Sequence, residues 1–353
     1  MNDAMFQPEV SVIVPNYNHA AFLRERLASI LNQTYRYHEL IVLDDASSDT
    51  SVEVIHECLS SVNHQLILNK TNSGSTFLQW DRALAMAKGE LIWIAESDDI
   101  ADPTLLEKLV QTFRDEDVAL AYCQSLAINV QSEVTANLIG WTEAISKHLW
   151  RHDFAMDGTY FAVNFMSIKN IIPNASAVLF RRSLYISPPS LRPDFKLGGD
   201  LLLWVSIMHG RKIAYVAEAL NRYRFHATTV RRLQSSVYLS ECSAMTRWII
   251  ENTGAWDSPG DLCVLRQHIL DLWFSIGLEP AAPRLWFKQQ QAYAILFKLY
   301  GANLIPRLLV LLPSSAWRRT LRLRTWWSLG WRSVWNKLGK QATLSRRSRN
   351  HVS

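Results

Sequence analysis

The first 125 residues repeat one pattern: a short, mostly β-branched apolar run, then a segment whose apolar side chains recur at helical spacing. Residues 10–14 form the first run, ended by Pro15, and Leu23, Leu27, Ile30 and Leu31 then share one helical face. Residues 40–43 form the second run, and a cap-rich stretch at 47–51 leads into a helix aligning Val52, Ile55 and Leu59. Residues 66–68 read as a third strand, after which Gly74 and Ser75 open a helix predicted to run through Lys88 and to end at Gly89. Residues 91–94 are a fourth strand. Pro103 sits at the first turn of a helix carrying Leu105, Leu106, Leu109, Val110 and Phe113, and residues 118–123 close the series. Strands that are apolar throughout need cover on both faces. That predicts an α/β fold, a twisted, mostly parallel sheet with helices on both faces.

In such a sheet the crossovers are right-handed, and ligands bind beyond the carboxyl ends of the strands. Three loops therefore share one edge: residues 15–18, 44–49 and 96–99. Asp98 and Asp99 directly follow the fourth strand, and keeping adjacent carboxylates ionised calls for a cation or hydrogen-bond donors. A hard divalent ion, Mg²⁺ or Mn²⁺, suits them, because it takes few carboxylates and completes its shell with water and phosphate oxygens. The plainer role for this pair is to cap the loop before the Pro103 helix. Asp44 and Asp45 end the second strand in the same way, and their plainer role is an Asx-turn. A fold gains little from two acidic pairs on one edge, whereas a cleft for a metal–diphosphate accounts for both. No G-x-G-x-x-G follows the first strand and no G-x-x-x-x-G-K-[ST] occurs, which argues against a dinucleotide dehydrogenase and a P-loop NTPase. The glycine-rich basic loop of a nucleotidyltransferase is also missing from the first strand.

Residues 126–230 are less regular. They hold a strand signal at 175–180, a proline-rich loop at 188–193, Gly198 and Gly199 before Asp200, a helical pattern at 201–208 and a strand at 213–217. Beyond 230 the signals are helical, with breaks at Pro259, Pro283, Pro306 and Pro313. The chain thus divides into a domain over 1–230, a helical extension over 231–312 and a basic, tryptophan-rich tail over 313–353. The four cysteines form no C-x-x-C pair, which points away from structural zinc and disulfides and towards a reducing cytoplasm. The opening residues carry no signal-peptide pattern, and no run reaches the roughly 18–20 apolar residues of a membrane span.

The net charge of +5 is unevenly placed: from Ser314 onward there are ten Lys or Arg and no Asp or Glu. Trp317, Trp326, Trp327, Trp331 and Trp335 lie among them. Tryptophan favours the headgroup region, and clustered basic residues are attracted to anionic lipid. The tail is therefore expected to hold the protein peripherally on the anionic inner face of the cell membrane; its plainer role is a C-terminal helix that packs its tryptophans on the folded domain and exposes its arginines. A nucleic-acid groove would need basic residues across the folded domain, so nucleic acid is not an expected partner.

Six stretches, in order and spacing, carry a resemblance: Val10-Ser-Val-Ile-Val-Pro-Asn-Tyr-Asn18, Ser29-Ile-Leu-Asn-Gln-Thr34, Leu43-Asp-Asp-Ala-Ser-Ser-Asp-Thr50, Asn72-Ser-Gly74, Ala87-Lys-Gly-Glu90 and Ser97-Asp-Asp99. Together they resemble family 2 glycosyltransferases of the GT-A fold, inverting enzymes of the bacterial cell-surface polysaccharide type. The resemblance implies transfer of a sugar, with inversion, from a nucleotide-diphosphate sugar to a hydroxyl of a glycan or lipid-linked acceptor. It implies that Pro15 and Tyr17 border the nucleotide base and that Asp45 hydrogen-bonds it. Asp98 would lie near the ribose or diphosphate, and Asp99 would ligate Mn²⁺ or Mg²⁺.

Downstream, Gly199-Asp200 with Trp204, Lys212-Ile-Ala-Tyr-Val216 and Tyr223-Arg-Phe-His226 resemble the part that carries the acceptor base. Asp200 is implied as the general base and His226 as a third metal ligand. Many relatives have Glu-Asp where this chain has Gly199-Asp200, a departure that removes one carboxylate and keeps the base. On the residues alone, Asp200 also fits the N-cap of a helix starting at Leu201, and His226 an ordinary surface histidine. Trp141, Trp150 and Tyr160 fit either sugar stacking or a core. A catalytically inactive sugar-nucleotide or glycan-binding member is the alternative, against which Asp45, Asp98, Asp99 and Asp200 speak.

Overall fold

A computed structural model describes residues 6–143, 145–166, 170–185, 195, 198–226, 241, 244–245, 248–249 and 251–253. The tail over 313–353 and nearly all of the 231–312 extension lie outside the described residues. Among the described residues through 224 the strands and α-helices run β1 (Val10–Asn16), α1 (Ala20–Leu31), β2 (Glu39–Asp44), α2 (Ser51–Leu59), β3 (Gln65–Leu68), α3 (Thr76–Met86), β4 (Leu91–Ile94), β5 (Ile100–Ala101), α4 (Leu105–Thr112) and β6 (Val118–Ile128). Then come β7 (Val134–Asn137), α5 (Gly140–Glu143), β8 (Phe154–Asp157), α6 (Gly158–Phe161), β9 (Val178–Arg181), α7 (Gly199–Met208) and β10 (Lys212–Arg224). Among the described residues no helix is long and apolar enough to cross a membrane.

One mixed sheet runs β3-β2-β1-β4-β9-β6-β10-β5, with β7 on β6 and β8 on β10. β3, β2, β1 and β4 pair in parallel, as the continuous apolar runs predict. β9 then enters antiparallel to both β4 and β6, so β6 keeps the direction of β4 without touching it. The insertion is invisible to periodicity, which reports that a strand is buried but not which strand lies beside it. β10 pairs with β6 in parallel and curves through register shifts near Val216, Ala219 and Asn221.

Burial confirms that both faces are covered. Val12, Ile13 and Val14 are each fully buried although they point alternately to opposite sides. Val10, Val12 and Val14 share a core with Leu23, Leu27 and Ile30 of α1, Ile55 and Leu59 of α2, and Leu105, Leu106, Leu109 and Val110 of α4. Each such side chain contributes about 1.5–3 kcal/mol by leaving water. α3 packs on β1 and β2 with Trp80, Ala83 and Leu84 buried, and Trp80 meets Trp204 of α7 with ring centroids 6.2 Å apart.

Two local expectations change. α3 stops at Met86, before the predicted Lys88. Gly89 serves close approach rather than helix ending: a Cβ there would lie 2.6 Å from the Ser11 backbone nitrogen. On α1 the partly exposed Leu31 leaves the predicted face, and Arg26 joins Leu23, Leu27 and Ile30 in burial. Of the aromatic candidates, Trp150 is a core residue whose Nε1 donates to the Tyr122 hydroxyl at 2.7 Å, while Trp141 and Tyr160 remain on the surface.

Candidate active site

The three predicted loops do lie at the carboxyl ends of neighbouring parallel strands, and cross-loop hydrogen bonds hold them together. After β1 the chain turns through Asn18 in the left-handed region, at φ 56°. Asn18 Oδ1 accepts from the Ser48 backbone at 2.8 Å, and its own N–H donates to Ser47 Oγ at 2.9 Å. Asp49 accepts from the Ala20 backbone at 3.0 Å, tying the start of α1 to the loop after β2. Pro15 is buried at the end of β1, and Tyr17 beyond it is nearly half exposed, open to a flat ligand.

The first acidic pair is spent on loop architecture. Asp44 accepts from Asn16 Nδ2 at 2.7 Å and from the Ser47 backbone at 2.8 Å, the predicted Asx-turn. Asp45 is buried and draws the loop before α3 towards β2. It accepts from Asn69 Nδ2 at 2.7 Å, Ser73 Oγ at 2.7 Å and Gln79 Nε2 at 3.0 Å. Its contact with a base would therefore compete with donors of the protein itself.

The second pair divides. Asp99 turns inward, 1% exposed. It accepts from Asn174 Nδ2 at 2.7 Å and the Arg224 backbone at 3.0 Å, with Ser176 as a further partner. Burial, then the charge of Asp98, push its carboxyl up to about 7. Asp98 faces the other way and meets His226 Nε2 at 2.9 Å across 128 residues of chain. Burial works to raise Asp98, but the His226 hydrogen bond and the two nearby imidazoles outweigh it and hold the carboxyl below the usual range.

Arg224 makes that meeting possible. Fully buried, it donates through Nε to the Asp98 carbonyl at 2.6 Å and through a terminal nitrogen to Glu25 at 2.8 Å. Its guanidinium lies over the Phe22 ring, 4.7 Å from the centroid. With β10 pinned there, and Arg222 paired to Ile100, His226 falls beside Asp98 two residues later. Of the two readings of His226, the ordinary surface histidine does not hold, because its side chain is only 6% exposed.

Two residues escaped the sequence reading. His19 brings a third ligand atom, so that those of His19, Asp98 and His226 all lie within 4.8 Å of one another. The signal was a histidine directly after the 15–18 loop, on the edge already singled out. Burial first lowers its pKa, and Asp98 opposes that. Arg26 is fully buried, 4.9 Å over the Trp93 ring, and its guanidinium nitrogens have no hydrogen-bond partner among the described residues. Burial depresses it to about 10 against the pull of Asp99, Asp98 and Glu96, so it stays a cation beneath three carboxyl groups. Its signal was a charged residue inside the apolar stripe of α1.

The donor set suits a divalent ion: a carboxylate and imidazoles converge where the phosphates of a nucleotide would lie beyond the strand ends. Of the two predicted carboxylate assignments, the geometry turns Asp98 towards His226, while Asp99 is engaged by Asn174 and Arg224.

Asp200 lies in the first turn of α7, whose cap is Gly198; it is not the cap itself. It is buried at the positive end of that helix, where a carboxylate is favoured. The first turns of α3 link it to the Asp45 loop: Gln79 holds Asp45, and a Cβ on Gly199 would lie 2.7 Å from the Phe77 ring. The glycine before Asp200 is therefore a steric requirement. Glu241 approaches the same turn and accepts from the Gly198 backbone at 2.6 Å.

Comparison with known proteins gives the same picture. Residues 11–184 match the family model described as Glycosyl transferase family 2. Glycosyltransferase GlyG of Streptococcus pneumoniae is 28% identical over 232 residues, 65% of this chain and 69% of that protein. Among solved structures, S. aureus TarS 1-349 in complex with UDP-GlcNAc superposes with a TM-score of 0.60 at 16% identity, covering 83% of this chain and 80% of that one. The mannosyltransferase PcManGT from Pyrobaculum calidifontis, in complex with GDP-Man and Mn²⁺, gives a TM-score of 0.53 at 17% identity over 88% and 89% of the two chains.

Proposed function

This chain belongs to glycosyl transferase family 2 and has the GT-A fold, and we propose that it moves a sugar, with inversion, from a nucleotide-diphosphate sugar to the hydroxyl of a glycan or lipid-linked acceptor. The observation that carries this reading is the meeting of Asp98 and His226 at the strand edge that also presents Tyr17 and the Asp45 loop. Tyr17 and Pro15 offer a wall for the base. Asp45 fixes the Asn69–Ser73 segment beside it through its hydrogen bonds to Asn69 and Ser73. Asp98 and His226 would hold Mn²⁺ or Mg²⁺, with Asp99 a positioning residue that locks the Asp98 turn to β10 through the Arg224 backbone. When bound, such an ion neutralises charge on the departing nucleoside diphosphate as a Lewis acid.

Asp200 would take the proton of the acceptor hydroxyl as that oxygen attacks the anomeric carbon. A carboxylate with an ordinary pKa of roughly 4 is a weak base, so it acts by position within hydrogen-bond reach. Its burial in the first turn of α7, against a helix that also holds Asp45, supports that fixed position. The basic, tryptophan-rich sequence over 313–353 supports peripheral docking on an anionic membrane surface, which would confine a cytoplasmic enzyme to the plane of a lipid-linked acceptor.

The test is a donor screen. Purified protein with Mn²⁺ or Mg²⁺ is offered UDP-, GDP- and dTDP-sugars with extracted glycan and lipid acceptors, and nucleotide release is followed. Release with one donor class that stops on chelation supports the reading. Full activity after exhaustive EDTA treatment would remove the metal from it.

A further inference from the structure

We propose that His19 is a third protein ligand of the cation held by Asp98 and His226, and that this nitrogen-rich set favours Mn²⁺ and later first-row ions over Mg²⁺. The inference rests on the donor-site reading above and adds to it a ligand and a metal preference.

His19 is held firmly at the start of α1. Its carbonyl accepts from the Phe22 and Leu23 backbones at 2.9 and 3.0 Å, which fixes the main chain. Its ring stands edge-on to that of His226, with centroids 5.4 Å apart and planes at 88°. Nδ1 is engaged by Ser97 Oγ at 2.8 Å, and the other ring nitrogen has no protein partner among the described residues. Ser97 directly precedes Asp98, so one turn orients both the carboxylate and the imidazole. Groups that hold a ligating histidine in this way commonly set metal affinity.

The spacing fits one ion. Two ligands on the same cation sit at most about 4.4 Å apart, twice a bond of roughly 2.2 Å. The three ligand atoms lie within 4.8 Å of one another, so they need close by no more than a few tenths of an ångström. Mg²⁺ prefers oxygen ligands and keeps its waters, whereas imidazole nitrogen favours first-row transition ions, increasingly from Mn²⁺ to Co²⁺. A site with two imidazoles and one carboxylate would show that slope; a site made of carboxylates would flatten it. A histidine that only packs against Phe22 and His226 would give no slope of its own.

The experiment is calorimetric titration of the full chain with MgCl₂, MnCl₂ and CoCl₂ alone, on wild type, His19→Ala, His19→Gln and Asp98→Ala. His19→Gln keeps the bulk and guards against a folding artefact. In wild type, affinity should rise from Mg²⁺ through Mn²⁺ to Co²⁺. Both His19 variants should lose about tenfold or more for Mn²⁺ and Co²⁺, with Mg²⁺ binding nearly unchanged. Asp98→Ala should lose all three. Equal losses for all three ions in the His19 variants, or none, would overturn the ligand role while leaving the Asp98 site standing. A wild-type protein that binds none of the ions would overturn the metal reading itself, and this inference with it.

Discussion

Gly199→Ala tests whether Asp200, the proposed acceptor base, is positioned by the same helix that organises the Asp45 loop. A Cβ at residue 199 would lie 2.7 Å from Phe77 Cε2 and 2.8 Å from Cδ2 and Cζ. Carbon atoms rest at about 3.5–4.0 Å, so the ring or the start of α7 must yield by close to an ångström. The ring has little room: Phe77 is 4% exposed and stands edge-on to Trp80, centroids 5.2 Å apart. Overpacking of this kind costs about 1–3 kcal/mol, and the helix preference of Ala over Gly returns at most about 1 kcal/mol. The melting temperature should fall, at about 2–4 °C per kcal/mol for a domain of this order. Because Asp200 is the next residue, kcat should fall further than stability alone requires, by up to about 10²-fold for an ångström of misplacement. Phe77→Leu removes the outer ring atoms, so Gly199→Ala should cost less in that background, with a coupling of about 1 kcal/mol or more in the double-mutant cycle. Thermal melting and steady-state nucleotide release on the four proteins read both effects. A single Gly199→Ala variant that melts with wild type and turns over normally would refute the steric account.

Asp200→Asn should leave melting and nucleotide affinity almost unchanged while transfer falls by at least ~10²-fold; near-normal turnover would send the search for a base to Asp194 first. Asp99→Ala strands the Arg224 N–H and Asn174 Nδ2 in a buried site, at about 1–3 kcal/mol per orphaned group. It should therefore melt well below Asp98→Ala, and the reverse order in a thermal scan would argue against its positioning role. The full-length protein should co-sediment with anionic liposomes at low salt and be released at high salt. A chain ending at Pro313 should stay in solution and still use a short water-soluble acceptor; equal partitioning of both would rule the tail out as the anchor.

The fold was legible where burial on both faces left an uninterrupted apolar run, as in residues 10–14, 40–43 and 91–94. Each of these is a strand with at least one parallel neighbour, although β4 has antiparallel β9 on its other side. Partnership was not legible. The strand signal at 175–180 is realised as a turn over Ala175–Ala177 and β9 over Val178–Arg181, and nothing in it says that β9 slides between β4 and β6, because strand order follows from long-range packing rather than from local period. The site shows the same division. Three loops were placed on one edge by a topological rule, yet side-chain direction within each pair of aspartates depended on what lay opposite. His19 and Arg26 were hidden for opposite reasons: the histidine looked like the end of a loop, and the arginine stood where a helix normally buries a leucine.

That dependence on what lies opposite explains how four carboxylates are tolerated on one sheet edge. Asp44 and Asp45 are satisfied by amides and hydroxyls at the ends of β1, β2 and β3 and in the loops that follow them. Asp99 is satisfied across the sheet by Asn174 and the Arg224 backbone. Asp98 alone is turned to imidazoles, whose nitrogens are common metal ligands. Beneath the second pair lie two buried guanidinium groups. Each guanidinium nitrogen of Arg224 donates a hydrogen bond, while Arg26 rests on an aromatic face with no hydrogen-bond partner among the described residues. These fixed charges let the fold hold its acidic edge together from within. Under the proposed function Asp98 would serve the donor, while the hydrogen bonds of the other three carboxylates hold the fold without it.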